Sequence, residues 1–494
     1  MHGIYGLIDI GISTFRASQT ALMATGDNIS NANNPDFTRR RVVFQEKPPI
    51  LSLPILIGRG AEVIKISRVY DSFLGQRWLQ EEMNMGYHNV KKYGLSRIDT
   101  IFNDTQGGGL SEALDAFWEA WEEVSTDPTN IVSRQNLLYK TQSLCDTFHK
   151  MSKDLKEIQT DMDTEIENAV IRINDLAKQI AYLNEQVQAI EIKGVEANNF
   201  RDRRDALIRK LGQLANITTF ETKEGVTVLI DGAPLVEGKN AYSLELKAET
   251  DGHYGINWVG EDGTKIDITN RINNGKIGAY LEIRDEVVPQ YLNELDKLAF
   301  QLVKQINTIH YGNDYGNSDA YDLNSDNERF FFVLNNHLDD PLLKTTTGIA
   351  GAATHIDLAP EEWTVSGTTY YGIDSHPERI AAASAPEEPS NNEKALEILN
   401  LKKTSLSELN NATFNDFYHS LIGKVGTETD EAKANYDHQK MVLDETKKDF
   451  DTVSGVSLDE ESANLIRFQQ MYNASAKLIN IADEMMKTLI NLGA

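Results

Sequence analysis

Asp322-Leu323-Asn324-Ser325-Asp326-Asn327 carries carboxylates and amides at alternate positions, the pattern from which a calcium loop is built. Asn327 stands where that loop needs its glycine. Val333 stands where a bidentate glutamate must close the coordination shell. The expectation is therefore a polar turn, and no metal-ligating residues are assigned. Cys145 is the single cysteine, so neither an internal disulfide framework nor a cysteine-based zinc site can form. It lies in a helical run near Leu144, Phe148 and Met151, where a small buried apolar side chain is expected. The ten histidines are scattered singly. The motifs of nucleophile elbows, zinc proteases, dinucleotide folds and phosphate loops are absent, so no catalytic residue and no cofactor is expected.

Two clusters invite a non-catalytic reading. Leu114, Phe117, Trp118 and Trp121 share one helical face and are expected to pack a core. Arg39, Arg40 and Arg41 form a basic cluster in an acidic chain. A solvated strand edge is expected, with an acidic patch on another subunit as the alternative.

The surrounding chain sets limits on function. Of 494 residues, 75 are Asp or Glu and 48 are Lys or Arg, a formal net charge of −27. Such a chain suits neither nucleic acid nor an anionic membrane surface. No apolar run reaches the ~18 residues of a membrane span. Met1-His2-Gly3-Ile4-Tyr5 lacks the features of a cleaved signal peptide.

Both ends of the chain are patterned in heptads. Ile8, Phe15, Leu22 and Ile29 recur every seven residues, with the mostly small Ile4, Gly11, Ser18 and Thr25 between them. Leu458, Leu465, Tyr472, Ile479 and Met486 recur likewise. Phe468, Ser475, Ala482 and Leu489 are their partners, and Glu461 is the misfit in that column. Met471, Leu478, Met485 and Leu492 widen the stripe. A 3.5-residue repeat keeps an apolar seam facing a partner helix. The simplest folding brings the first and last helices together.

Between these ends lie a helical body and two insertions. Pro35, after Asn31, Asn33 and Asn34, stops the first helix, and Val63, Ile64 and Ile66 suggest a short strand. From Asp71 to Leu211 the pattern is helical, with breaks at Gly107-Gly108-Gly109 and Asp127-Pro128. Ile166, Ala169, Ile173, Leu176, Ile180, Leu183, Val187 and Ile190 form a sustained seam on a helix expected from about Leu155 to Lys193. Between Asn216 and Asn270 the period becomes two, with Asp231-Gly232, Asp251-Gly252 and Asp262-Gly263 as hairpin turns. Helix returns from Gly278 to His310, with Val287, Tyr291, Leu295, Leu298, Leu302 and Ile306 on one face. The fold expected is mainly α with inserted β domains, an α+β multidomain chain. Terminal coiled-coil helices occupy 1–70 and 455–494, and an elongated helical-bundle body occupies 71–215, 272–310 and 391–454. A small antiparallel β domain is inserted at 216–271, and 311–390 is a second insertion with short β runs and loops.

Asn28-Ile29-Ser30-Asn31-Ala32-Asn33-Asn34-Pro35-Asp36-Phe37-Thr38-Arg39-Arg40 resembles the N-terminal motif of bacterial flagellar axial proteins, the rod, hook and hook-associated proteins. Asp36 and Phe37 replace the glycine and tyrosine usual there. Ser454 to Glu461, continuing through Leu465 to Tyr472, is similar to the C-terminal motif of the same family. Ser67 to Phe73, Ser96 to Asp99, Asp127-Pro128 with Arg134-Gln135, Arg201 to Leu207 and Phe414 to Tyr418 look like the hook-associated branch, whose members join hook to filament.

The resemblance implies a non-enzymatic, extracellular structural protein, exported without a cleaved signal through the flagellar type III channel. Copies would form a ring through their terminal helices. The implied interface holds Ile8, Phe15, Leu22, Ile29, Leu458, Leu465, Phe468, Tyr472, Ile479, Met486 and Leu489. Asn28, Asn31, Asn33, Pro35 and Phe37 carry the family motif. The implied partners are the hook protein, a second hook–filament junction protein, and an export chaperone on the C-terminal segment. The competing readings are a distal rod or hook protein, an unrelated adhesin or structural coiled coil, and a peptidoglycan hydrolase fused to an axial module. The second leaves the Asn28–Arg40 motif unexplained. The third needs a carboxylate-bearing groove within 216–390.

Overall fold

A computed structural model describes residues 2–52, 55–103, 108–250, 252–312, 318–336, 349–365 and 367–492. Gly107, Asp251, part of the second insertion and the side chain of Leu492 lie outside them. Among the described residues helix makes up 62%, about twice the usual share, so the fold is mainly α with small sheets inserted.

In chain order, α1 (His2–Ser30) is followed by strands β1 (Arg40–Glu46), β2 (Ile50–Ser52), β3 (Ile55–Ile57) and β4 (Ala61–Arg68). Helices α2 (Ser72–Phe102), α3 (Leu110–Thr126), α4 (Ile131–Glu191) and α5 (Asn198–Gly212) come next. Then β5 (Ile217–Thr222), β6 (Gly225–Ile230), β7 (Ala233–Glu237) and β8 (Asn240–Ala241) form one antiparallel sheet. A second contains β9 (Ser243–Ala248), β10 (Tyr254–Val259) and β11 (Lys265–Asp267). Helices α6 (Gly275–Glu282) and α7 (Val288–His310) precede β12 (Arg329–Phe330), β13 (Phe332–Leu334), α8 (Ala352–His355), β14 (Ile356–Leu358), β15 (Glu362–Val365) and β16 (Thr368–Gly372). The chain ends in α9 (Glu393–Leu401), α10 (Phe414–Ser454) and α11 (Leu458–Leu492).

The chain divides into two compact units, one of residues 1–87, 167–278 and 437–494, the other of 88–166 and 279–436. In the first, α1 and α11 pack together antiparallel, with Phe15 on Tyr472 and Gly11 against Ile479. The β1–β4 pair, bulged at Val43/Phe44, lies along α1. The heptad seam of α4 is buried in this unit from Ala169 to Val187, with Ile173 and Ile180 fully so, and half-buried at Ile190.

Two asparagines on that helix hold the inserted sheets. Asn184 donates to the Val226 and Gly238 carbonyls at 2.9 and 2.8 Å and accepts from the Val226 N–H at 3.0 Å. Asn174 brackets Leu244 in the same way, donating to its carbonyl and accepting from its N–H, each at 2.8 Å. A side-chain amide satisfies a backbone donor and acceptor at once, so each sheet is registered on the helix without an uncompensated polar group. Asp231 and Gly232, with φ of 44° and 83°, make the tight turn between β6 and β7.

In the second unit, Trp118 and Trp121 are fully buried with Phe117, Phe331, Phe332 and Phe414, as core packing requires. Cys145 is buried, and burial pushes its thiol pKa well above the usual range. Asp322 accepts the Asn324 and Asp326 N–H groups at 2.7 and 3.0 Å, the polar turn expected.

Two features of the helical reading are corrected. The seam helix begins at Ile131 rather than near Leu155. A π turn at Ile283–Val287 separates α6 from α7. Its extra residue slips the helical phase by one, so Val288 rather than Val287 is buried. Strand β12 pairs with β16 in parallel, while β15–β16 is antiparallel.

Candidate assembly interface

The seam between α1 and α11 runs along the small residues. Ser18 and Ala21 are fully buried on α1, with Gly11 and Thr25 in the same column. The facing column of α11 is Glu461, Phe468, Ser475 and Ala482, each at most 7% exposed. Small side chains let two helix backbones approach closely. A Cβ on Gly11 would stand 2.8 Å from Ile479 Cγ1, closer than carbon atoms pack. The hydroxyls in this seam bond their own helices: Ser18 to the Thr14 carbonyl at 2.8 Å and Ser475 to the Met471 carbonyl at 2.6 Å. They enter the seam without an unmet polar demand.

The large heptad residues flank this seam. Ile8, Phe15, Leu22, Ile29, Leu465, Tyr472, Ile479 and Met486 are half-buried. Phe468 is buried, and Leu458 and Leu489 are 53% and 45% exposed. Tyr5, Ile12 and Met23 on α1 and Ile466, Ile481, Met485 and Ile490 on α11 are also exposed. The two helices thus satisfy one stripe of each other and leave a second, apolar margin open.

A polar cluster closes one end of the pair. Asn28 is buried where α1 ends. Its Nδ2 donates to the Arg40 carbonyl at 2.9 Å and to Glu461 Oε2 at 3.1 Å, and its Oδ1 accepts the Arg40 N–H at 2.8 Å. Glu461 is therefore no misfit, because its other oxygen accepts from Arg39 Nε at 2.8 Å. Arg39 also reaches Glu460, and its N–H meets the Ser454 carbonyl. Arg40 is not at a solvated strand edge. Its guanidinium is buried and paired to Asp202 at 2.5 Å, with Asn199 and Thr38 completing its bonds. Arg39 and Arg40 thus form ion pairs within the chain, while Arg41 is exposed on β1, as a solvated strand edge requires.

Asp202, on α5, is the node. It accepts from Arg40, from Thr38 Oγ1 at 2.6 Å, from the Thr38 N–H at 3.3 Å and from Arg68 at 3.2 Å. Burial tends to lower the Arg68 pKa, but Asp205 at 2.6 Å and Asp202 outweigh it and raise it. Among the motif residues, Asn28 is the structural one. Asn31 bonds Asp27 at the helix end, Phe37 lies 4.6 Å from the Arg40 guanidinium, and Asn33 and Pro35 are exposed. Asp202, Arg68 and Glu461 were not singled out as site residues by sequence reasoning. The available signals were a carboxylate at a heptad core position and the alternating Arg201-Asp202-Arg203-Arg204-Asp205 run.

Among the described residues no cluster of His, Cys, Asp and Glu could hold a metal ion, and no helix is long and apolar enough to cross a membrane.

Comparison with known proteins gives concordant matches. Residues 95–331 match the flagellar hook-associated protein FlgK helical domain, and residues 449–492 match the flagellar basal body rod FlgEFG protein C-terminal family. The chain is 26% identical to flagellar hook-associated protein 1 of Bacillus subtilis, covering 98% of each chain. It is 25% identical to flagellar hook-associated protein 1 of Escherichia coli, covering 98% of this chain and 99% of the relative. The solved flagellar hook junction protein FlgK from Burkholderia pseudomallei has the same fold, with a TM-score of 0.61 at 14% identity, over 75% of this chain and 98% of that one.

Proposed function

Since the chain belongs to the flagellar hook-associated protein 1 family, we propose that it serves as the structural, non-enzymatic junction between hook and filament, assembled through its terminal helices. It is an extracellular axial component of the bacterial flagellum.

The observation that carries the assembly reading is the open margin of the α1–α11 pair. Ile12, Met23, Ile466, Ile481, Met485 and Leu489 are apolar and at least 39% exposed, although the helices bearing them are fully formed. Fully burying such a side chain contributes about 1.5–3 kcal/mol. Neighbouring copies that cover this margin would each gain several such terms. In a ring or helical tube the contact is heterologous, so one copy's α1 edge meets another's α11 edge. The hook protein and a second junction protein are the neighbours proposed at the two ends, with an export chaperone covering the C-terminal segment before assembly.

Deletion of residues 456–494 in the source bacterium tests this reading, with electron microscopy of flagella and an assay of shed flagellin. Complete hooks without filaments, and flagellin in the medium, are expected. Missing hooks would place the protein among the rod or hook components. Normal filaments would remove the terminal helices from assembly altogether.

A further inference from the structure

A small cavity of about 120 Å³ opens in the first unit, beneath the end of β4 and beside α5. Three guanidiniums line it, those of Arg68, Arg204 and Arg209, against two carboxylates, Asp205 and Glu221. Tyr70, Leu79, Phe220 and Val226 form much of its wall. The wall itself thus presents three cations to two anions, the further partners Asp202 and Asp36 lying outside the lining.

The arginines are unevenly satisfied. Arg68 is bound by Asp202 and Asp205 and lies 4.2 Å from the Tyr70 ring. Arg209 lies 4.0 Å from the Trp78 ring and gives one nitrogen to Asp36 at 2.8 Å. Arg204 is 99% buried, yet its contacts are long: 3.2 Å to Asn184 and 3.3 Å to Glu221. Its Nε has no hydrogen-bond acceptor; Asp205 Oδ1 is 3.8 Å away. A buried guanidinium donor without an acceptor costs more than a neutral one, so an oxygen ligand is favoured there.

We propose that this cavity binds a small oxyanion, held by Arg204 and Arg209 with the Tyr70 hydroxyl as a further donor. Two guanidinium forks and a hydroxyl match the several oxygens of sulfate or phosphate, and the volume admits one such ion. The bound ion would join β4, α5 and β5, and so strengthen the part of the unit that receives the motif strand β1.

The test is a melting series on the full chain in sodium sulfate and in sodium chloride at equal ionic strength, with sodium acetate as a third arm. A saturable rise of about 2–4 °C in sulfate over chloride is expected, with its midpoint in the low millimolar range. A saturable rise in acetate as well would identify the ligand as a carboxylate, such as an acidic side chain of another chain, while sulfate alone would identify a tetrahedral ion. Arg209→Gln and Tyr70→Phe should each move the midpoint about tenfold higher, the value of one charge-assisted or hydroxyl bond. Both leave Arg204 and its neighbours in place, and their melting in chloride alone reports whether they fold. A rise linear in sulfate and the same in all three chains would be the general exclusion effect of sulfate, and would overturn the site.

Discussion

Replacing Asp202 with alanine is expected to destabilise the first unit by about 3–5 kcal/mol, the cost of breaking a buried ion pair from one side. The buried Arg40 would lose its carboxylate and keep only Asn199 and Thr38. Arg68 would still hold Asp205, so the main penalty falls on Arg40 and on the strand that carries it. Arg40 is bound to Asn28 through both its N–H and its carbonyl, and Asn28 is bound to Glu461. The loss should therefore reach the α1–α11 pair. In hydrogen exchange the amides of β1 should lose protection before those of α5, and urea should unfold the unit at lower concentration. Asp202→Leu combined with Arg40→Met should recover most of the loss, because an apolar pair of similar volume avoids stranding a charge. A cost below about 1 kcal/mol for Asp202→Ala would mean that the motif strand is held by something else.

The second unit should weaken in acid through His310. This imidazole is fully buried, with Nδ1–H donating to the Arg329 carbonyl at 2.7 Å and Nε2 accepting the Ala381 N–H at 2.8 Å. The second bond needs the neutral ring, because a protonated Nε2 cannot accept. Burial lowers its pKa from 6.5 to about 4; the hydrogen bond to the Arg329 carbonyl opposes this, and the nearby Arg134 charge adds a lesser downward push. The unfolded chain therefore takes up this proton first as pH falls. Stability from this residue is complete above about pH 6.5 and is lost progressively towards pH 4, by about 3 kcal/mol in all at ~1.36 kcal/mol for each pH unit. Asp296 and Asp322, whose pKa values burial raises, act in the opposite direction at the acid end. The comparison with His310→Gln isolates the histidine. That variant should be less stable at pH 7, but its urea midpoint should change less than the parent's between pH 6.5 and 4. Parallel curves would exclude His310 as the source.

Elements that repeat a period were legible. The terminal heptads, the α4 seam and the alternating strands each carry their pattern in neighbouring residues, and the Trp118–Trp121 face needed only a helix to become a core. The seam itself was less legible, because a hydrophobic pattern ranks large side chains above small ones. Ser18, Ser475 and Ala482 are buried because they permit close approach, not because they are strongly apolar. Glu461 looked like an error because a charge counts against an apolar column. Its partners, Asn28 and Arg39, lie more than 420 residues away in sequence. Asp202, Asn174 and Asn184 are likewise polar residues whose partners only the tertiary fold supplies. The π turn leaves no mark on composition, so Val287 was placed where Val288 belongs.

The division of the α1–α11 pair into a tight small-residue seam and a loose large-residue margin separates two kinds of evolutionary freedom. At Gly11, Ser18, Ser475 and Ala482, what matters is volume: serine and alanine can trade places at the last three, but Gly11 has no room even for a methyl group. At Ile8, Phe15, Leu465 and Met486, what matters is polarity: one large apolar side chain can follow another, but a charge cannot. Drift along these helices would leave a seven-residue beat of two alternating intolerances, one to size and one to charge. Lineages could then re-tailor the margin to fit altered neighbours while the spacing of the two helices stayed fixed.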